Sequence, residues 1–331
     1  MRYISKKIFA CLLTVLLLCM GLAGCSSQVQ GTTASAGNSK ILFIITDTND
    51  TFRALLADGI KSAAQSMGVS LDVVETGSDV QAQAECVSSA KSKGYTAVIL
   101  RLSDASTALQ MNVASNGLPI IYVNNEPDIS HLTADTYIFV GSNEEEAGQY
   151  QAEYVLKKLG NPANLDVIIF EGEAGHSGTI GRTKSVKSTL KKNGCNANYV
   201  FVDYANWTDT QAKDKLGIFM KTGQNVQAIF CNNDTMALGV IEGMKEYGLD
   251  YTKIPVCGVD ATSDGCASII AGEMAFTVLQ DAEGQGAAAV KAAVTLGSGG
   301  SISSIDGATD NNKYIYVPFV PVDSSNVNQY K

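Results

Sequence analysis

The chain has 331 residues, enough for two packed domains of roughly 100–200 residues each, and its 45% hydrophobic, 17% charged composition excludes a disordered polypeptide. The formal charge is −9, and the first 24 residues supply Arg2, Lys6 and Lys7 with no acid, so the remainder is more acidic still. A chain of that charge without a basic patch is repelled by phosphate backbones, which excludes nucleic acid as a partner.

The N-terminus sets the compartment. Arg2, Lys6 and Lys7 precede an apolar run over 8–20 (IFACLLTVLLLCM), followed by Leu22-Ala23-Gly24-Cys25. The run suits a signal-peptide core and is shorter than the roughly 20 residues a membrane helix needs. Small residues before a cysteine look like a bacterial lipobox. The expectation is a signal peptide over 1–24, lipidation at Cys25 and a polar tether over 25–39, with the protein anchored on the outer side of the cytoplasmic membrane. The bland alternative is a plain signal peptide in which Cys25 is incidental. Cys11 and Cys19 leave with the signal, so Cys86, Cys195, Cys231, Cys257 and Cys266 remain, an odd set without zinc spacing. Cys231 and Cys257 lie in strand-like runs and read as buried small hydrophobes; a bridge between them would require neighbouring strands.

After the tether, apolar runs alternate with helix-period segments. Strands are expected over 41–46, 71–75, 97–102 and 119–124, with helices over 52–66, 80–93 and 105–116 between them. The rhythm restarts with strands over 167–170, 199–202, 228–231 and 255–259 and helices over 183–192, 210–221 and 235–246. Strands over 276–280 and 314–322 flank a last helix over 283–295. Strands apolar on both faces and separated by helices predict parallel βαβ units, here two doubly wound α/β lobes. Asn143 followed by Glu144, Glu145 and Glu146 marks a capped helix start between the two series.

In open α/β sheets ligands bind beyond the carboxyl ends of the strands. Those positions hold Asp50, Phe52, Asn124, His176, Arg182, Trp207, Asn233 and Asp260. Asp50, Asn233 and Asp260 could each be ordinary helix caps; taken together the residues read as a site. Two histidines, His131 and His176, leave little material for a metal site or a histidine-dependent triad, and neither HExxH nor GxSxG occurs. Carboxylates, amides, Arg and His suit the hydroxyls of a neutral polyol, which both donate and accept, while aromatic faces cover its C–H patches. Trp207 stands in a polar setting (DYANWTDTQ). Its truncation is therefore expected to weaken binding and leave stability nearly unchanged; the bland reading is a partly exposed packing side chain.

At these residues the sequence resembles the type I periplasmic sugar-binding proteins of ABC importers, most closely their galactose/glucose-binding branch. The likeness runs from about residue 41 to 323. It is carried by Asp50-Thr51-Phe52, Asn124-Asn125-Glu126-Pro127, Glu173-Ala174-Gly175-His176 with Arg182, Trp207, Asn232-Asn233-Asp234, and Gly258-Val259-Asp260. The resemblance implies a sugar held in a cleft between two hinged lobes. Phe52 and Trp207 would clamp the ring, and Asp50, Asn124, His176, Arg182, Asn233, Asp260 and Gln280 would bond its hydroxyls. The lobes would comprise 40–142 with 281–316, and 143–280 with 317–331, crossing near Ser142, Gln280 and Tyr316–Val317. Gly178 stands where the branch has an Asp, and Gln280 where it has an Asn; Gly178 would open space at the anomeric carbon for a glycoside substituent or a different sugar. The branch's calcium loop is missing over 161–165 (NPANL), with Gln227 in place of its distant Glu, so neither metal nor cofactor is expected.

The function these residues suggest is capture of a monosaccharide or small glycoside by a monomeric lipoprotein and its delivery to an ABC importer permease, without catalysis. Alternatives are a sugar or nucleoside sensor presenting its ligand to a chemoreceptor or sensor kinase, and a glycoside-processing enzyme using Asp50 and Asp260.

Overall fold

Residues 39–331 are described by the structure, a computed structural model. The signal segment, the Cys25 lipidation site and most of the tether lie outside them. The first run, β1 (Lys40–Ile45), is buried from Ile41 onward on both faces, so it must lie inside a sheet covered on both sides. It pairs in parallel with β2 (Ser70–Glu75) and β3 (Ala97–Leu100). The six-stranded sheet is completed by β4 (Ile120–Val123), β5 (Tyr137–Gly141) and β11 (Tyr314–Tyr316), in the order β11-β5-β4-β3-β1-β2. Its two faces carry separate cores. One packs α1 (Thr51–Ser66) and α9 (Ala282–Gly297); the other packs α2 (Val80–Ala90) and α3 (Ala108–Ala114).

The second sheet runs β7-β6-β8-β9, all parallel: β6 (Asn164–Glu171), β7 (Asn196–Tyr204), β8 (Ala228–Cys231) and β9 (Val256–Cys257). A parallel bridge from Cys257 to Phe276 continues it into β10 (Thr277–Leu279), which pairs antiparallel with β12 (Val320–Val322). On one face lie α4 (Glu144–Lys158) and α5 (Ser177–Lys192). On the other lie α6 (Asp209–Met220), α7 (Asp234–Tyr247) and α8 (Ser263–Ile270). These are two doubly wound α/β lobes.

The chain passes between the sheets three times: after β5, between β10 and α9, and between β11 and β12. The crossings are tied together. Ser142 Oγ donates to the Val317 carbonyl at 2.7 Å, Gln285 Nε2 of α9 donates to Ser142 Oγ at 3.0 Å, and Val317 N donates to the Gly141 carbonyl.

The structure departs from the sequence reading in three places. The run over 314–322 is two strands in different sheets, because the chain crosses at 317–319, where Pro318 has no N–H to extend a ladder. Strand β5 and helix α8 are additional elements, both short, with Gly141 at the end of β5 and Gly265 inside α8 diluting their apolar pattern. Cys231 and Cys257 do lie on neighbouring strands, but Cys257 pairs with Phe230, so the two thiols face opposite cores and both are free.

Candidate functional site

One cavity lies where the carboxyl ends of the two sheets face each other. It is lined by all nine side chains expected from the sequence: Asp50, Phe52, Asn124, His176, Arg182, Trp207, Asn233, Asp260 and Gln280. Two more line it that sequence reasoning missed, Arg53 and Arg101. Arg101 directly follows β3, so the rule that selected the others also covers it. Arg53 is the third residue of α1 and reads as a solvated helix side chain.

Capping and lining are not alternatives here. Asp50 Oδ1 accepts the Arg53 N–H at 2.9 Å and caps α1; His176 Nδ1 accepts the Gly178 N–H at 3.0 Å and caps α5; Asn233 Oδ1 accepts the Met236 N–H at 2.9 Å and caps α7. Each cap spends one polar atom and fixes the side chain at a helix N-terminus, where the partial positive charge favours electron-rich ligand oxygens. Asp260 is no cap, since Thr262 caps α8. It sits at φ 115°, with Ala261 at 51°, and its N–H bonds the Val278 carbonyl.

Arg182 is held at three points: by Glu144 Oε2 at 2.6 Å, the Asn232 carbonyl at 2.6 Å and Gln280 Oε1 at 2.8 Å. Because Gln280 commits its oxygen to Arg182, its NH₂ remains as a donor. Asn124 is in the same position, for its Oδ1 receives Arg101 Nε at 3.1 Å and lies 3.3 Å from His176 Nε2. With Nδ1 accepting from Gly178, the imidazole is the neutral tautomer with its proton on Nε2, facing that oxygen. Burial, and then the cations Arg101, Arg182 and Arg53, hold His176 well below the usual histidine range. Asp260 Oδ1 is buried without a hydrogen-bond partner, 4.0 Å from Arg182 Nη1. Burial pushes its carboxyl well above the usual range against the pull of Arg182, and Asp234, Asp50 and Glu144 add to the rise. An unpaired buried acceptor of this kind is satisfied by a donor from a ligand.

Phe52 belongs to the first lobe and Trp207 to the second, and both are largely buried. The indole occupies the space a side chain at Gly172 would fill and meets His176 edge-on at 5.1 Å. This corrects the reading of Trp207 as a side chain apart from the core. Asn206 and Trp207 both take positive φ (49° and 66°), which turns the ring inward from a polar loop onto the lobe's core. Gly178 does not line the cavity. A Cβ there would stand 3.3 Å from His176 Nδ1 and 3.6 Å from Arg182 Cζ, so the glycine leaves room beside both.

Two facing α/β lobes with a polar, aromatic-walled cavity between them define an extracytoplasmic solute-binding architecture. The chain belongs to the periplasmic binding protein domain family, whose model matches residues 41–301. A Rhizobium meliloti protein, provisionally named a rhizopine-binding protein, is 30% identical over 287 residues, 86% of this chain and 89% of its own. The D-galactose/methyl-galactoside binding periplasmic protein of Haemophilus influenzae is 28% identical over 309 residues, 89% of this chain and 92% of its own. Among solved structures, a solute-binding protein of Bacillus halodurans with bound myo-inositol superposes with TM-score 0.79 at 27% identity, covering 90% of this chain and 99% of its own. The chain is a binding protein and not an enzyme.

Proposed function

We propose that this protein captures one neutral, six-membered-ring polyol in the interlobe cavity and delivers it to an ABC importer. The ring is a hexopyranose of galactose or glucose type, its methyl glycoside, or a cyclitol. The observation that carries this reading is Phe52 and Trp207, from opposite lobes, lining a single cavity with amide, guanidinium and carboxylate groups. Ring C–H faces pack on aromatic planes, while each edge hydroxyl donates to a carboxylate and accepts from Arg or amide N–H.

The relatives named above support both the polyol class and the importer partnership. Membrane attachment through Cys25 follows from the lipobox-like Leu22-Ala23-Gly24-Cys25, and a chemoreceptor or sensor kinase is a further partner of the same closed form. Isothermal calorimetry with D-galactose, D-glucose, methyl β-D-galactoside and myo-inositol tests the reading. At least one should bind with micromolar or better affinity, and Asp260→Ala should weaken it about tenfold or more, as expected when a buried hydrogen-bond partner of the ligand is removed. Absence of binding by every member sinks it. If Gly178 admits a substituent, the methyl glycoside binds within about tenfold of the free sugar; a far larger preference for the free sugar removes that role from Gly178.

A further inference from the structure

Arg101 is 3% exposed in its side chain, yet among the described residues its one carboxylate partner comes from the opposite lobe. On its own lobe the acceptor its side chain bonds is the neutral Asn124 oxygen, with the Asp50 and Asp47 carboxylates acting on it from beyond ion-pair distance. The partner is Glu173, in the loop between β6 and α5, with Oε2 3.4 Å from Arg101 Nη2 and Oε1 3.7 Å from Arg53 Nη1. Arg53 is also nearly buried and is paired on its own lobe with Asp47 at 2.9 Å. These are the only ion pairs between the two lobes among the described residues. The other cross-cleft bonds here are neutral: Ser177 N donates to Asn125 Oδ1, Glu126 N to Ser177 Oγ, Ser177 Oγ to the Asn124 carbonyl, and His176 Nε2 faces Asn124 Oδ1. Glu173 does not itself line the cavity, although both arginines do.

A guanidinium buried without a counter-charge is costly, so bringing the lobes together is favourable only if a carboxylate arrives with the opposing lobe. We propose that Glu173 is the closing residue of the cleft: it compensates Arg101 and Arg53 as closure buries them and sets their guanidinium groups toward the ligand. The inference rests on the polyol-binding reading above and adds a positioning residue that touches no ligand. Its contribution is a property of the closed state, and it is the same for every ligand the cavity accepts. Arg101, fixed between Glu173 and Asn124, then presents its remaining N–H groups in one orientation.

The test compares wild type, Glu173→Gln and Glu173→Asp by stopped-flow binding of D-galactose and myo-inositol at low and high salt. The guanidinium side of the pair is buried and Glu173 is 40% exposed, so its loss acts on dissociation and is screened in part by salt. Glu173→Gln should raise koff about tenfold for each ligand that binds, leave kon within about twofold and reduce the salt dependence of koff. Glu173→Asp should recover part of the loss, and the ligand-free melting temperature should change little, because the pair joins the two lobes and holds neither one together. A wild-type koff in Glu173→Gln overturns the proposal, as does a loss confined to one ligand. Small-angle scattering of the ligand-free proteins separates this failure from that of the functional reading. At low salt Glu173→Gln should be more open than wild type; identical scattering overturns the closing role whichever ligands bind.

Discussion

At the scale of single residues, most of the cavity's side chains do two jobs with different atoms. Trp207 is the clearest case. Its ring lines the cavity and also fills the hole left by Gly172 within the second lobe's core. Truncating a buried Trp costs about 3–5 kcal/mol, so Trp207→Ala should lower the melting temperature as well as abolish binding. Calorimetric melting checks this: an unchanged transition would mean that the ring contributes nothing to the core. His176 is equally constrained, since protonating Nδ1 would break the α5 cap and place a cation among three arginines. With its folded-state pKa depressed, the unfolded or open protein takes up the proton first. Stability and affinity should therefore be full above the ordinary histidine value of about 6.5 and fall as pH drops below it. His176→Asn keeps a capping side chain without a titrating group and should flatten that acid limb; a limb that persists unchanged assigns the titration elsewhere.

At the scale of elements, the site depends on how α7 and α8 begin. Asp234, the first residue of α7, is wholly buried and accepts from Thr262 N at 2.8 Å, Thr262 Oγ1 at 3.2 Å and Thr277 Oγ1 at 2.6 Å. It joins α7, the start of α8 and β10 around the left-handed turn that aims Asp260 at the cavity. Removing it leaves buried donors unpaired at about 1–3 kcal/mol each. Asp234→Ala should thus destabilise the second lobe and weaken binding together, whereas Asp234→Asn should retain much of both. Urea unfolding paired with calorimetry measures this, and an Ala variant of full stability would contradict it. Burial pushes the Asp234 carboxyl to about 7. As an acid with a raised folded-state pKa, it lowers stability as pH rises from about 4 to about 7, opposite in sign to His176.

Which elements were legible follows from their physics. Runs such as 41–45 and Ala228–Cys231, apolar on both faces, can only be covered parallel strands, and eight of the nine expected cavity residues follow strand ends or start helices, Arg182 lying further into α5. Arg101 escaped because the expected strand over 97–102 enclosed it, whereas the strand ends at Leu100. Arg53 escaped because its partner across the cleft, Glu173, is remote in the sequence, which no local pattern records. The inward turn of Trp207 rests on two successive positive-φ residues other than glycine, a conformation that a sequence does not announce.

At the scale of the whole molecule, the three crossings joined through Ser142, Gln285 and Val317 leave the lobes hinged on one side, while Glu173, His176 and Ser177 meet the first lobe at the cleft. Ligand contacts from both lobes favour the closed form by their differential affinity. The sequence contains a single tryptophan, and it lines the cavity, so its emission reports on the site alone. The most direct measurement is a fluorescence titration of Trp207 with hexoses, methyl glycosides and myo-inositol, in wild type and in Phe52→Ala. The account predicts a saturable emission change with at least one polyol, shifted to at least about tenfold higher concentration when the opposing aromatic wall is removed. A polyol that binds by calorimetry yet leaves the emission unaltered, or binds equally well without Phe52, would contradict it.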